Sequence, residues 1–474
     1  MEGLGEVFNE QKYKGLLKGL EISEVSFLES VENKDFRMDS DFWTKQPKKN
    51  THLKYKKIGD ILKLSQYGIS ISMNEDNKGY PIYRMNEIHN MLCDLSVDKY
   101  ADISKDEFQK YELKDKDVLF NRTNSFEWVG RTGVYYQNDE ILKTFASYLV
   151  RFNPDESIVL PEYLATFLNT KQGVWDVKRR ARQSINQTNV NPEEVKEIEI
   201  PILSMDFQNE IKNRFEGANK NRILSQQIYH HAEELLLETI GLKDFTPSQE
   251  KTNIKSFKDS FLETGRLDAE YYQLKYENYI DLVKNYQHDF ELLQTACNLK
   301  DNNFTPEETK EYQYIELADI GKSGNITGCT IAQGNDLPSR ARRKVNANDV
   351  IISSIEGSLD SCALVTGDYD NALCSTGFYI VNSEKINSET LLVLFKSEVM
   401  QNILKQGCSG TILTAINKTE FQNIPIPIID FPTQEKISAL IQESFALRKE
   451  SERLLVDAKE MVEREIEKGG EICM

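Results

Sequence analysis

The sequence predicts an α+β protein built twice over: two tandem α/β globular regions, each followed by a long helix, with the two helices pairing as a coiled coil. Three observations carry this. Residues 206–240 contain no proline and place Ala218, Asn221, Ser225, Ile228, Ala232 and Leu235 at alternating spacings of three and four, the seam of a coiled-coil helix. The same phase returns in Ser444, Leu447, Ser451, Leu454, Ala458 and Met461, each 226 residues later. Finally, the stretches between these helices repeat one another in order.

The repeat runs through the chain. Ser26-Phe27-Leu28-Glu29-Ser30 returns as Ser260-Phe261-Leu262-Glu263-Thr264, and Arg37-Met38-Asp39-Ser40-Asp41-Phe42-Trp43 as Arg266-Leu267-Asp268-Ala269-Glu270-Tyr271-Tyr272. The run from Tyr80 to Ile88 matches that from Tyr312 to Ile320, and Asp117-Val118-Leu119-Phe120 matches Asp349-Val350-Ile351-Ile352. Ile198-Glu199-Ile200-Pro201-Ile202 matches Ile424-Pro425-Ile426-Pro427-Ile428, and Gln208 matches Gln434. The offset drifts only between 226 and 234. Each half therefore has a short lead-in, a mostly β region, an I-x-I-P-I strand and a long helix. The apolar runs 117–120, 148–152 and 349–353 are expected as strands, and 161–170 and 388–396 as helices. Proline in the I-x-I-P-I strands points to a sheet edge or strand end.

The predicted boundaries are a helical tail at 1–25, a first globular domain at 26–205, a central helix at 206–242, a second globular domain at 243–431 and a C-terminal helix at 432–468. In the tail, Lys18-Gly19-Leu20 resembles Ile240-Gly241-Leu242, with glycine where a helix ends. Residues 5–18 are thus expected to pack beside the C-terminal helix and close a pseudo-two-fold ring.

At 474 residues the chain exceeds what one core holds, and two or three domains are expected. No apolar run approaches the ~20 residues of a membrane span, and the first residues lack the apolar segment of a signal peptide. A cytoplasmic location is expected. Seven scattered cysteines without a CxxC pair argue against zinc and against a disulfide framework. A net charge of −18 argues against bulk polyanion binding, yet Lys178, Arg179, Arg180 and Arg182, and again Arg340, Arg342, Arg343 and Lys344, form local basic clusters.

Catalytic signatures are missing. Gly321-Lys322-Ser323 lacks the earlier glycine of a phosphate-binding loop, Glu316 standing there. There is no GxGxxG, GxSxG, HExxH or Asn/Asp-Pro-Pro-aromatic segment. His230 and His231 cannot both face one site, and Glu193-Glu194 with Lys196 fits a helix start after Asn191-Pro192.

Three constellations suit DNA. In the first, Asn121, Arg122, Thr123, Asn124, Ser125 and Arg131 form a polar loop after a buried strand, with Ser354 and Glu356 in the matching place of the repeat. Arginine bridges guanine O6 and N7, asparagine bridges adenine N6 and N7, and glutamate accepts from cytosine N4; an ordinary satisfied turn reads the same way. The second is Arg179, Arg180, Arg182, Gln183, Ser184, Asn186 and Gln187, matched by Ser409 and Thr411. It suits phosphate positioning with base contact, or equally a capped helix start. The third is Arg84 and Asn86, beside Glu316 and Asp319 in the repeat. The halves share an apolar framework but differ in polar chemistry, as a reader of two unlike half-sites requires.

The segments 117–131 (DVLFNRTNSFEWVGR) and 182–192 (RQSINQTNVNP), the paired I-x-I-P-I strands with Gln208 and Gln434, and the two long helices resemble the DNA-specificity subunit of type I restriction–modification systems. The resemblance covers nearly the whole chain. It implies two target-recognition domains, each reading half of a split site, and antiparallel helices as a spacer of roughly 50 Å. It implies two methyltransferase (modification) subunits carrying S-adenosylmethionine and a motor-nuclease (restriction) subunit using ATP and Mg, with no cofactor, metal or catalysis on this chain. The outer helix faces, with Ile223, Leu224, Leu236 and Leu455, are expected to receive partner subunits. The second half departs from the pattern, Asn121-Arg122-Thr123 becoming Ser353-Ser354-Ile355, so base contacts do not transfer between halves. The rival readings are a specificity subunit of a type II-like or other phage-defence complex, and a self-sufficient enzyme.

Overall fold

The protein is described by a computed structural model, which covers residues 9–20, 22–32, 37–44, 46–47, 49–185, 187–243, 245–250, 252–410 and 414–468. It divides into two compact units. One holds the described residues up to Asn221 together with those from Lys449 onward; the other is Arg222–Arg448. The long helices are Met205–Thr239 and Phe431–Glu467, so each unit owns part of both.

The first unit is organised by Val118–Asn121, a strand buried along its whole length. It lies between Leu149–Pro154 and Thr132–Val134, and Leu62–Tyr67 adds to the far side of Leu149–Pro154. A strand covered on both faces reads as a continuous apolar run rather than an alternation. Val350–Ser353 has the same place in the second unit, between Phe378–Asn382 and Cys362–Leu364, with Asn298–Lys300 beyond. The aspartate that opens each strand is buried and paired: Asp117 with Arg151 at 2.8 Å, and Asp349 with Lys300 at 2.8 Å. A buried carboxylate survives only with such partners.

Two helices cover each sheet. Pro161–Asn169 and Lys171–Arg180 match Ser388–Lys396 and Glu398–Gly407. Proline starts the first of these at a position where no N–H is needed. Thr170 and Ser397 cap the following helices by accepting from Gly173 and Met400. The I-x-I-P-I segments form edges of two-stranded sheets, as expected: among the described residues Glu199–Pro201 pairs only with Tyr55–Lys57, and Pro425–Pro427 only with Phe290–Leu292.

Gln208 and Gln434 explain why a glutamine recurs at the head of each long helix. Gln208 accepts the Leu160 N–H at 2.8 Å and donates to the carbonyls of Leu203 and Ile158. Gln434 accepts from Asn387 at 2.7 Å and donates to Ile429 and Lys385. Both side chains are buried, and each satisfies three backbone groups where helix, strand and loop converge.

Within each unit the two long helices run antiparallel. In the first, Ser451 Oγ donates to the Ala218 carbonyl at 2.7 Å, and Ile211, Phe215 and Ala218 pack with Leu455, Ala458 and Val462. In the second, Ser444 Oγ donates to the Ser225 carbonyl at 2.8 Å, and Tyr229, Ala232 and Leu236 pack with Ile437 and Ile441. The buried line differs from the expected seam at alternate positions. Tyr229 and Leu236, not Ile228 and Leu235, are buried beside Ser225 and Ala232, and Leu455 and Val462 replace Leu454 and Met461. The phase is kept, because the small residues are shared by both lines; the larger residue turns inward on the other side of them. Leu236 and Leu455 are consequently core residues and are not available to partners, whereas Leu224 is exposed.

The described part of the tail forms a helix, Glu10–Leu16, with no buried residue. A helix docked against the C-terminal helix would bury one face, and this one does not.

Candidate nucleic-acid interface

The two polar loops of the first unit, some 60 residues apart in sequence, form one surface. Beyond Asn121 the chain continues as Thr123–Asn124, which pairs antiparallel with Thr188–Asn189; that strand pairs in turn with Arg182–Gln183. Thr123 Oγ1 donates to Asn189 Oδ1 at 2.6 Å. Between the sheets sits Arg122. Its N–H donates to the Tyr148 carbonyl at 3.0 Å, and its own carbonyl accepts from Val190 at 2.9 Å. Its half-buried guanidinium lies over the Tyr67 ring at 5.2 Å, and its Nε makes no hydrogen bond among the described residues.

The second unit repeats this backbone. The Ser354 N–H donates to the Gly377 carbonyl and the Ser354 carbonyl accepts from Ile416, both at 2.9 Å. Cys408–Ser409 pairs with Ala415–Ile416, Ile355 bridges Ala415, and the Glu356 N–H donates to Thr414. Arg340 joins through its carbonyl, which accepts from Thr376 beside Gly377. Arg122 and Ser354 thus hold equivalent places with different chemistry.

Not every expected contact residue is free to read DNA. Arg179, half-buried, and Arg180, buried, both pair with Asp176. Arg179 also donates to the Phe42 carbonyl at 2.8 Å, and Arg180 to that of Glu194 at 3.0 Å. Burial pushes the Arg180 pKa down against the pull of Asp176. These arginines hold the lead-in segment. Asn121 and Thr123 are likewise buried and brace the loop, Asn121 Oδ1 accepting the Thr123 N–H at 3.3 Å. Arg84 is committed to Glu87, which also accepts the Arg84 N–H at 2.7 Å. The repeat keeps that turn, with Asp319 accepting from Glu316 at 2.7 Å; Asn86 is exposed on it. The Ser354 hydroxyl is spent on Gly377. Arg342 donates to Ser339 at 3.1 Å, and Arg343 is half-buried on the strand Ala341–Lys344.

What remains accessible is coherent. Arg182, Gln183, Ser184 and Gln187 are exposed around the hairpin tip, where Ser184 donates to the Gln187 carbonyl. Asn124 is half-buried and Ser125 exposed at the first loop. In the second unit Arg340 and Ser409 are exposed and Glu356 is half-buried. Asn186 and Thr411 lie outside the described residues.

Aromatic residues, absent from the expected set, complete the first surface. Trp128 and Phe126 are exposed. Arg131 stacks on Trp128 at 3.4 Å and Lys178 Nζ sits 4.7 Å over Phe126 while donating to the Glu127 carbonyl. Burial lowers the pKa of both cations. Basic and aromatic residues interleaved around one loop were the available signal.

Residues 50–233 match the family described as type I restriction modification DNA specificity domain. That stretch of the chain is similar to the DNA specificity domain of type I restriction–modification systems. A putative type I restriction enzyme MjaX specificity subunit from Methanocaldococcus jannaschii is 24% identical over 392 residues, 81% of this chain and 84% of that one. The type I restriction enzyme EcoKI specificity subunit from Escherichia coli is 25% identical over 168 residues, 35% of this chain and 36% of that one. Among solved structures, the type I restriction–modification S subunit from M. genitalium aligns over 88% of this chain and 98% of that one, with 12% identity and a TM-score of 0.40. The HsdS subunit from Thermoanaerobacter tengcongensis aligns over 89% and 98%, with 12% identity and a TM-score of 0.29. The matched stretch contains the whole first-unit surface. Among the described residues no helix is long and apolar enough to cross a membrane.

Proposed function

We propose that this chain reads a bipartite duplex DNA target, one half-site per unit, for a cytoplasmic complex that methylates adenine and restricts unmodified DNA. The observation that carries this reading is the duplicated platform. Arg122 and Ser354 share their backbone hydrogen bonds, to Tyr148 and Val190 in one unit and to Gly377 and Ile416 in the other, yet present different side chains. Identical scaffolds with unlike polar tips suit two unlike half-sites, because base discrimination resides in side-chain donors and acceptors.

In this reading the chain is not itself catalytic. S-adenosylmethionine belongs to two modification subunits, and ATP with Mg to a restriction subunit. Arg122, Arg131, Arg182, Gln183 and Gln187 contact the first half-site; Arg340, Glu356 and Ser409 contact the second. The net charge of −18 keeps non-specific binding weak and leaves attraction to these local clusters.

The test is selection of bound duplexes from a random-sequence library by the full chain co-expressed with a modification subunit. Two fixed blocks separated by an unselected spacer are expected. A single uninterrupted block, or no enrichment, contradicts the reading.

A further inference from the structure

Arg122 and Arg131 rest on rings where other arginines of the first unit rest on carboxylates. Arg37, Arg84, Arg151 and Arg180 each spend N–H groups on an acidic partner. The Arg131 guanidinium instead lies 3.4 Å over the Trp128 ring, and that of Arg122 5.2 Å over Tyr67. Neither side chain makes a hydrogen bond or ion pair among the described residues, although Glu127 is exposed on the same turn. The difference is chemical. A guanidinium carries all its donors in its own plane. A carboxylate consumes that edge, whereas a ring covers the flat face and leaves the edge free.

The two arginines are neighbours. The Asn121 N–H donates to the Arg131 carbonyl, and the Asn121 carbonyl accepts from Gly130, both at 2.8 Å. Arg122 and Arg131 therefore leave adjoining ends of paired strands. The turn that carries Trp128 is fixed as well. The Ser125 carbonyl accepts from Trp128 at 3.1 Å and from Val129 at 2.9 Å, and Lys178 donates to the Glu127 carbonyl at 2.8 Å. Tyr67 and Trp128 are nevertheless 46% and 42% exposed, so much of each ring serves no core. A ring held this firmly presets the guanidinium on it, which lowers the ordering cost of binding.

The repeat loses each ring together with its arginine. The Ser353 N–H donates to the Ser361 carbonyl at 3.1 Å, as Asn121 does to Arg131, and the Ser358 N–H closes onto Ile355 at 2.9 Å, as Trp128 does onto Ser125. Ser361 and Ser358 thus stand where Arg131 and Trp128 stand. Lys300 pairs with Ile380 as Gln66 pairs with Arg151, so Asp301 takes the place of Tyr67, just as Ser354 takes that of Arg122. The backbone is kept while both arginines and both rings are gone. Each ring and its arginine behave as one element.

Guanine suits such an edge, because its O6 and N7 accept two N–H groups from one guanidinium. We propose that Tyr67 and Trp128 are positioning residues that hold Arg122 and Arg131 edge-on to guanines of the first half-site. This rests on the DNA reading of the proposed function. The experiment uses the full chain co-expressed with the modification subunit, and duplexes carrying the selected two-part target. Guanines are replaced by 7-deazaguanine, which lacks the N7 acceptor, in one half-site at a time. Anisotropy titration of the wild type is expected to show binding at least about fivefold weaker when the half-site relaxed by Arg131→Ala carries the replacement. Trp128→Leu and Tyr67→Leu are expected to bind the ordinary duplex about 3- to 30-fold less tightly and to lose most of the 7-deazaguanine effect. Trp128→Phe and Tyr67→Phe keep a ring and are expected to retain most of the affinity, and circular dichroism is expected to be unchanged throughout. Leucine substitutions without effect, or phenylalanine substitutions as damaging as leucine, overturn the inference. So does a selected target without guanine in either half-site. A loss equal on ordinary and 7-deazaguanine duplexes also overturns it, by assigning the arginines to phosphates, and leaves the DNA reading intact. A wild-type complex that does not distinguish the selected duplex from a random one contradicts the proposed function itself.

Discussion

The Val190 N–H donates to the Arg122 carbonyl at 2.9 Å. With the pairing of Thr123–Asn124 and Thr188–Asn189, this bond joins two loops 68 residues apart into one surface and fixes the Arg122 backbone there, with its guanidinium over Tyr67. A contact residue held from both backbone sides loses little entropy on binding.

Arg122→Ala is therefore expected to weaken recognition of one half-site by about 1–3 kcal/mol if the guanidinium bridges a guanine. Anisotropy titrations on duplexes altered in one half-site at a time separate the cases. A loss confined to one half marks base contact; an equal loss across all sequences marks a phosphate contact.

Gln208→Leu leaves the Leu160 N–H and the carbonyls of Ile158 and Leu203 without their partner in a buried place. Each such orphan costs about 1–3 kcal/mol, so a loss of at least about 2 kcal/mol is expected in urea denaturation. Gln434→Leu is expected to match it, since its three bonds are the same. A loss below about 0.5 kcal/mol in both would show that the clamp is ornamental to stability.

At the seam, Ser451→Ala removes the hydroxyl that donates to Ala218 and is expected to cost about 1 kcal/mol. Ser451→Leu forces extra volume into a buried, close-packed position and is expected to cost about 1–3 kcal/mol beyond that. Thermal unfolding of both variants gives the order; a leucine variant as stable as wild type contradicts a small-residue seam.

The hydrogen bond from Arg266 holds the Asp268 carboxyl below its ordinary value of 3.8. A depressed folded pKa contributes stability above that ordinary value, and the contribution is lost as pH falls through the folded pKa. The lead-in of the second unit is expected to be held through neutral pH and to loosen below about pH 4. Pepsin cleavage near Phe261 and Leu262, compared between pH 4.5 and pH 3, should rise in the wild type and be high at both pH values in Asp268→Asn. Cleavage independent of both pH and substitution would contradict the clamp.

Much of this was legible because the repeat is ordered. Strands at Val118–Asn121 and Val350–Ser353 and helices at Pro161–Asn169 and Ser388–Lys396 fall where apolar runs and spacings place them. The recurrence of Gln208 at Gln434 pointed to a shared role that the three-way clamp explains. The site was less legible, since a basic residue in a polar run looks the same whether it faces solvent or Asp176. Arg179 and Arg180 turn inward because the lead-in needs donors for the Phe42 carbonyl and the helix end needs one for Glu194. The pairing of Thr123–Asn124 with Thr188–Asn189 is a long-range choice that no local pattern carries. At the seam, Ser225 and Ala232 fit two adjacent lines, and only packing decides between Ile228 and Tyr229.

The most direct measurement is a map of N6-methyladenine in the genome of cells carrying this chain, repeated with Arg122→Ala. A two-part motif with a fixed unselected spacer is expected, and the substitution is expected to relax or abolish one part only. A short undivided motif, or a substitution that alters both parts alike, would contradict recognition by two independent units.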